Sequence, residues 1–230
     1  MGNIAIIPAR GGSKRIPRKN IKLFHGKPVI GYAIELAISS GLFDDVYVST
    51  DDAEIREISM SYGARVPWLR DETLSNDHTP TIDVMSDAVA KIMLEHGTLN
   101  NVCCIYPVTP LLQVQYLEGG LRLLERGKWD FVFSGIKNTK SPERYFSLDQ
   151  NNALLFQKNG VEHLRTQDLP VTYHDAGQFY WGHESTWSSK LPIFSKSSTI
   201  IEIPSTEAVD IDTIQDWEYA EFLFKRNTRY

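Results

Sequence analysis

The chain has 230 residues, with 24 Lys and Arg against 29 Asp and Glu and a formal net charge of −5. The length suits one α/β domain, or one domain carrying an insertion, and the acidic balance argues against nucleic acid as a partner. No run approaches 18 apolar residues, so no membrane span is expected. The adjacent cysteines Cys103 and Cys104 suggest neither a disulfide framework nor a zinc site. The chain enters an apolar segment at once, without a cleavable leader, and a reducing cytoplasm is the expected compartment.

The first element is a strand over 3–8, apolar from Ile4 to Ile7 and ending at Pro8. A loop with adjacent glycines, Gly11 and Gly12, follows. A helix is predicted over 28–39, where Val29, Ile30, Ala33, Ile34, Ala37 and Ile38 recur at helical spacing. A strand near 45–50 leads to helices near 52–62 and 80–95. A strand near 101–106, a helix near 114–126 and a strand near 130–135 come next. Strand–helix alternation predicts an α/β fold with a mostly parallel sheet flanked by helices. The apolar first and third strands fit a sheet covered on both faces. From about 136 to 175 the rhythm breaks into polar and short alternating pieces, with Leu154 to Phe156 as a short strand. Forty residues make a poor independent core, so this stretch reads as an insertion within a single domain. A last helix near 213–226 carries Ile214, Trp217 and Phe224 on one stripe.

The basic loop is the strongest chemical signal. From Arg10 to Lys27 there are seven Lys or Arg and no acid, while the rest of the chain holds 17 basic against 29 acidic residues. A glycine pair just after a strand lets the backbone approach a ligand, and its N–H groups can cradle an anion. Ligands of α/β sheets bind at the carboxyl ends of strands. Neither the Walker pattern nor the dinucleotide fingerprint is present. Arg10, Lys14 and Lys19 are the phosphate candidates, with Arg15 and Arg18 as further cations. Asp51 or Asp52 is placed to cap the helix that follows, with Glu54 in its first turn. Near the other end, Asp210 and Asp212 at i and i+2 face one side of an extended segment. Two such carboxylates suit Mg²⁺, which takes one or two carboxylates and leaves room for substrate phosphates. The competing reading has Asp212 cap the last helix with Gln215 completing a capping box. The six histidines show no metal spacing; His174 alone falls inside a motif of interest.

The run Gly-Gly-Ser-Lys-Arg-Ile-Pro-Arg-Lys-Asn at 11–20 resembles the signature of the CMP-sugar synthetases, the sialic-acid-type cytidylyltransferases, and is most similar to the bacterial pseudaminic acid branch. The likeness continues through Ser49 to Asp52, Tyr106 to Leu111, Arg165 to Pro170, Tyr173 to Trp181 and Asp210 to Thr213. It implies a Rossmann-like nucleotide-diphospho-sugar transferase fold with a dimerisation insertion, hence a homodimer with its site near the subunit interface. It implies transfer of a cytidylyl group from CTP to a nine-carbon sugar acid, with Mg²⁺, or Mn²⁺ in its place, on Asp210 and Asp212. The product would serve flagellin glycosylation or cell-surface polysaccharide. Ala9, Arg10, Gly11, Gly12, Ser13, Lys14 and Lys19 would hold the triphosphate, and Asn20 the base. Arg70, Ser75 and Thr79 to Thr81 would contact base or ribose. Arg10, Lys19 and Asp212 would be catalytic. Tyr106, Arg165, Tyr173, Gln178, Phe179 and Tyr180 would face the sugar. Tyr106 replaces a Gln common in the wider family, which points away from plain sialic acid. The alternatives are N-acetylneuraminate or legionaminate as the acceptor, a nucleotide-binding regulator without activity, and a glycosyltransferase with a similar sheet.

Overall fold

The computed structural model describes residues 2–156, 158, 160 and 163–227. In chain order, strand β1 (Asn3–Pro8) is followed by the short strands β2 (Leu23–Phe24) and β3 (Lys27–Pro28), then α1 (Val29–Ser39), β4 (Asp45–Ser49) and α2 (Ala53–Ser61). Next come α3 (Thr81–His96), β5 (Asn101–Ile105), α4 (Val114–Leu124) and β6 (Phe131–Lys137). Strands β7 (Phe146–Leu148) and β8 (Leu154–Phe156) form a hairpin. The chain closes with β9 (Tyr173–His183), α5 (Glu184–Ser188), β10 (Ser198–Glu202) and α6 (Ile214–Asn227).

Six strands make the central sheet, in the order β10-β6-β9-β5-β1-β4. Only β9 runs against its neighbours; the pairs β1–β4, β1–β5 and β6–β10 are parallel. The apolar run of β1 explains its central place. Ala5 and Ile7 pack on one face with Ile30, Ala33 and Ile34 of α1. Ile4 and Ile6 pack on the other with Met85, Ala88 and Val89 of α3. A strand buried on both faces needs no alternation of polar residues, and none is present.

A third cluster seats α6. Trp217 and Ala220 pack against Ile16, Phe24, Val29 and Ile211, so the basic loop and the Asp210 segment are carried on one apolar base. Between β6 and β9 the register slips: Phe133 faces Tyr180, whereas Gly135 faces Asp175. The extra residues of β9 bulge at the carboxyl edge of the sheet, and Gly177 takes φ +62° there. Such a bulge re-aims side chains beside a site. No helix among the described residues is long and apolar enough to cross a membrane.

Candidate active site

A cleft of about 450 Å³ opens at the carboxyl ends of β1 and β5. It gathers Arg10, Ser13, Lys14, Arg15, Lys19 and Asn20 from the basic loop, Arg70, Thr79 and Thr81 from the middle of the chain, Tyr106 after β5, and Asp210 and Asp212 before α6.

The loop is held in shape by acids at the end of β4. The Gly11 N–H donates to Asp51 Oδ1 at 3.0 Å. A side chain at residue 11 would place its Cβ 2.6 Å from Asp52 Oδ2, so only glycine fits. Asp52, not Asp51, caps α2, accepting from the Ile55 N–H at 2.9 Å. The same carboxylate receives the Arg18 guanidinium, which also pairs with Glu54. The Arg18 hydrogen bond pulls the Asp52 carboxyl down to about 2, with the Ile55 N–H helping. Asn20 is 4 % exposed and donates to the Arg10 carbonyl oxygen at 2.8 Å, closing the loop on itself.

Each phosphate candidate faces a carboxylate. Arg10 lies 2.6 Å from Asp77, and Lys14 meets the other oxygen of the same side chain. Those two cations hold the Asp77 carboxyl below its ordinary range, Lys14 first. Arg15 reaches Asp212 at 2.7 Å; Lys19 donates to the Ile211 carbonyl at 2.7 Å and approaches Asp212 at 3.4 Å. These pairs are partly or largely open to solvent, where ion pairs are weak, and a polyanion can replace them. Asp77 was not foreseen: it lies 67 residues from Arg10 and no spacing in the sequence announces the contact.

The acidic pair lies opposite the loop. Burial, and then the neighbouring Asp212, push the Asp210 carboxyl up, against the pull of Lys19. The competing reading, in which Asp212 caps the last helix with Gln215, does not hold. Asp216 accepts from the Thr213 N–H at 2.7 Å and the Asp212 N–H at 3.1 Å, and the Asp216 N–H donates to Thr213 Oγ1. Thr213 and Asp216 therefore make the cap, and the Asp212 side chain stays in the cleft. Gly177 packs against Asp210, where an added Cβ would lie 3.5 Å from its carboxyl carbon. Two repelling carboxylates, Asp210 open to solvent and Asp212 partly covered, form a hard-oxygen donor set that suits a divalent cation such as Mg²⁺. Among the described residues no group of three or more His, Cys, Asp or Glu could enclose an ion, so a cation held here keeps positions for other oxygens.

Arg70 is a buried cation at the cleft wall. It donates to the Ser49 carbonyl and to Ser75 Oγ, each at 3.2 Å, and lies 3.7 Å from Asp51. Burial pushes its pKa down and Asp51 opposes that. Ala9 is fully buried, its N–H bonded to Ser49, and Gly11 and Gly12 contribute backbone only.

Of the expected sugar-facing residues, only Tyr106 lines the cleft. Phe179 is fully buried in the core over α4, its ring 3.0 Å from where a Gly120 Cβ would stand, so its ring faces the core and not the cleft. Gln178 is 2 % exposed and gives its amide to the Glu207 carbonyl. Tyr180 lies behind Tyr106, 3 % exposed. Tyr173 and Arg165 are exposed outside the cleft, Tyr173 beside Glu202 and Arg165 paired with Asp168 between β8 and β9. His174 turns to Asn138. Strand alternation alone does not say which face of β9 a helix covers, and the bulge shifts the count.

Comparison with known proteins places the whole chain. The family model described as Cytidylyltransferase matches residues 4–228. A pseudaminic acid cytidylyltransferase of Campylobacter jejuni is 41% identical over 227 residues, covering 99% of this chain and 98% of the relative. A CMP-N,N'-diacetyllegionaminic acid synthase of Legionella pneumophila is 30% identical, with 97% of each chain covered. The solved structure of a CMP:2-keto-3-deoxy-manno-octonic acid synthetase complexed with CTP shares the fold at a TM-score of 0.72 and 18% identity, over 99% of this chain and 100% of that one. With the loop, the acidic pair and the sheet order already in place, the full-length match settles the family: the chain belongs to the cytidylyltransferases.

Proposed function

We propose that this cytidylyltransferase couples CTP to a free nonulosonic acid, pseudaminic acid by preference, giving a CMP-sugar and pyrophosphate. The observation that carries the reading is the meeting in one cleft of Arg10, Lys14, Arg15 and Lys19 with Asp210, Asp212 and Tyr106. The choice of acid rests on the 41% identity to the pseudaminic acid enzyme and on Tyr106 in place of the Gln of the wider family.

In the reaction, the anomeric hydroxyl oxygen of the sugar acid attacks the α-phosphorus of CTP. A new P–O bond forms as the bond to the bridging oxygen of the β-phosphate breaks, and pyrophosphate leaves. Charge grows on the non-bridging oxygens, where fixed cations are worth most. Lys19, tied to the Ile211 carbonyl, and Arg10, whose guanidinium pairs with Asp77, are the cations assigned that task. Arg10 and Lys14 exchange Asp77 for phosphate. Holding both reactants in line supplies much of the rate. Asp210 and Asp212 are the residues to hold Mg²⁺, with Mn²⁺ as the alternative; bound there, the ion supplies phosphate polarisation and a lowered hydroxyl pKa.

The arm between β6 and β9 supports a homodimer with the site near the subunit interface. Tyr145, Phe146, Leu148, Leu154, Leu155 and Phe156 are all exposed, an apolar set that a second copy would cover. Arg165 does not line the cleft of its own chain, so a sugar role for it belongs to the cleft of a second copy. The reaction makes the cytoplasm the natural compartment.

The test is pyrophosphate release with Mg²⁺ from each of four NTPs, against pseudaminic, legionaminic and N-acetylneuraminic acids. Release with CTP and pseudaminic acid is expected. Release with CTP and another acid only would overturn the substrate choice. CTP binding without release on any acid would favour the regulatory alternative.

A further inference from the structure

Behind Tyr106 lies a half-buried polar relay that the reaction scheme leaves unused. Thr81 Oγ1 and the Tyr106 hydroxyl are 2.9 Å apart. The Tyr106 and Tyr180 rings meet with centroids 5.2 Å apart, tilted by 55°. Tyr180 is out of reach of water and donates its hydroxyl to Asp175. The second Asp175 oxygen accepts from the Gly177 N–H at 3.0 Å. Phe133 stacks on Tyr180 from the other side at 5.8 Å.

Both phenols keep their protons. Burial pushes Tyr106 up to about 12 and moves Tyr180 in the same direction. A buried phenol needs an acceptor. The single Tyr180 proton goes to Asp175, and Tyr180 bears on Tyr106 through the tilted contact of their rings. Asp175 sits on the β9 bulge, so the same irregularity that brings Gly177 against Asp210 fixes the far end of the relay.

We propose that Asp175 is a positioning residue for the acceptor half of the cleft, acting through Tyr180 to fix the ring and hydroxyl of Tyr106, which set how the sugar acid lies. This rests on the reading that the sugar acid meets Tyr106. Asp175 touches neither substrate; the cleft reaches Tyr106 but neither Tyr180 nor Asp175.

The experiment measures pyrophosphate release with D175A, D175N and Y180F at varied CTP and varied sugar acid. For D175A and Y180F the sugar-acid KM should rise about tenfold, while the KM for CTP stays within about twofold, as loss of one hydrogen-bonded brace predicts. Asparagine still offers Tyr180 an acceptor, so D175N should recover most of the loss. Equal damage to both KM values, or D175N as poor as D175A, would overturn the proposal; the latter would assign the effect to negative charge beside Asp210. Wild-type release in the same assay reports on cytidylyl transfer itself and separates the two claims. A crystal structure of D175A gives a readout without turnover: Tyr106 should part from Thr81 beyond hydrogen-bonding distance, and an unmoved Tyr106 would contradict the proposal.

Discussion

Lys19 Nζ stands 3.4 Å from Asp212 Oδ1, although 193 residues separate them. The contact joins the phosphate loop at the start of the chain to the acidic segment near its end, and the cluster of Phe24, Val29, Ile211 and Trp217 holds both on one base. Cation and anion are thus poised across the cleft before any substrate enters.

Asp212 should be essential for turnover and dispensable for folding. Its side chain caps no helix, since Thr213 and Asp216 do that. Asp212→Ala should cut kcat by about a thousandfold or more, as loss of a metal carboxylate predicts, with the melting temperature nearly unchanged. Pyrophosphate release and thermal melts check this together.

Asp210 should lower the stability of the metal-free protein at neutral pH. Its carboxyl is raised in the folded state by burial first and Asp212 second. A raised acid binds its proton more tightly when folded, so its contribution is fully present below the ordinary carboxylate pKa and is lost as pH rises through the folded value. Asp210→Asn should therefore raise the melting temperature above that window and make no difference below it. Mg²⁺ should stabilise wild type and not the variant. Melts across pH, with and without the ion, give the answer.

Asp77 should compete with the triphosphate for Arg10 and Lys14. Asp77→Asn should lower the KM for CTP by up to about fivefold, the ceiling set by exposed ion pairs. Arg10→Ala and Lys14→Ala should each raise it. Initial rates at varied CTP distinguish these directions.

Gly11→Ala should damage both fold and function. The new methyl would stand 2.6 Å from Asp52 Oδ2, and Asp52 is both the α2 cap and the Arg18 partner. Displacing a cap costs about 1 kcal/mol, and the loop would lose its register on the cleft. A lower melting temperature with a raised KM for CTP is expected.

Much of the frame was legible because it rests on local pattern. β1 follows from the continuous run Ile4 to Ile7, and α1 from a six-residue apolar stripe. The loop followed from charge, and the acidic pair from its i, i+2 spacing. β10, Ser198–Glu202, escaped because a half-exposed edge strand that opens with Ser and Thr has little apolar signal. Of the residues expected to face the sugar, Tyr106 alone lines the cleft. Phe179 and Gln178 lie in the same motif, yet a register slip against β6 and cover from α4 turn them inward. The pairing of Asp77 with the loop is a long-range contact, which no local spacing encodes.

The most direct measurement follows the phosphorus. CTP, Mg²⁺ and pseudaminic acid are incubated with the protein and the products are read by ³¹P NMR and mass spectrometry. The account predicts one equivalent of pyrophosphate for each CMP-pseudaminic acid, the sugar joined to the α-phosphate through its anomeric oxygen. Free CMP without the sugar ester, or unchanged CTP beside turnover on a different acid, would contradict it.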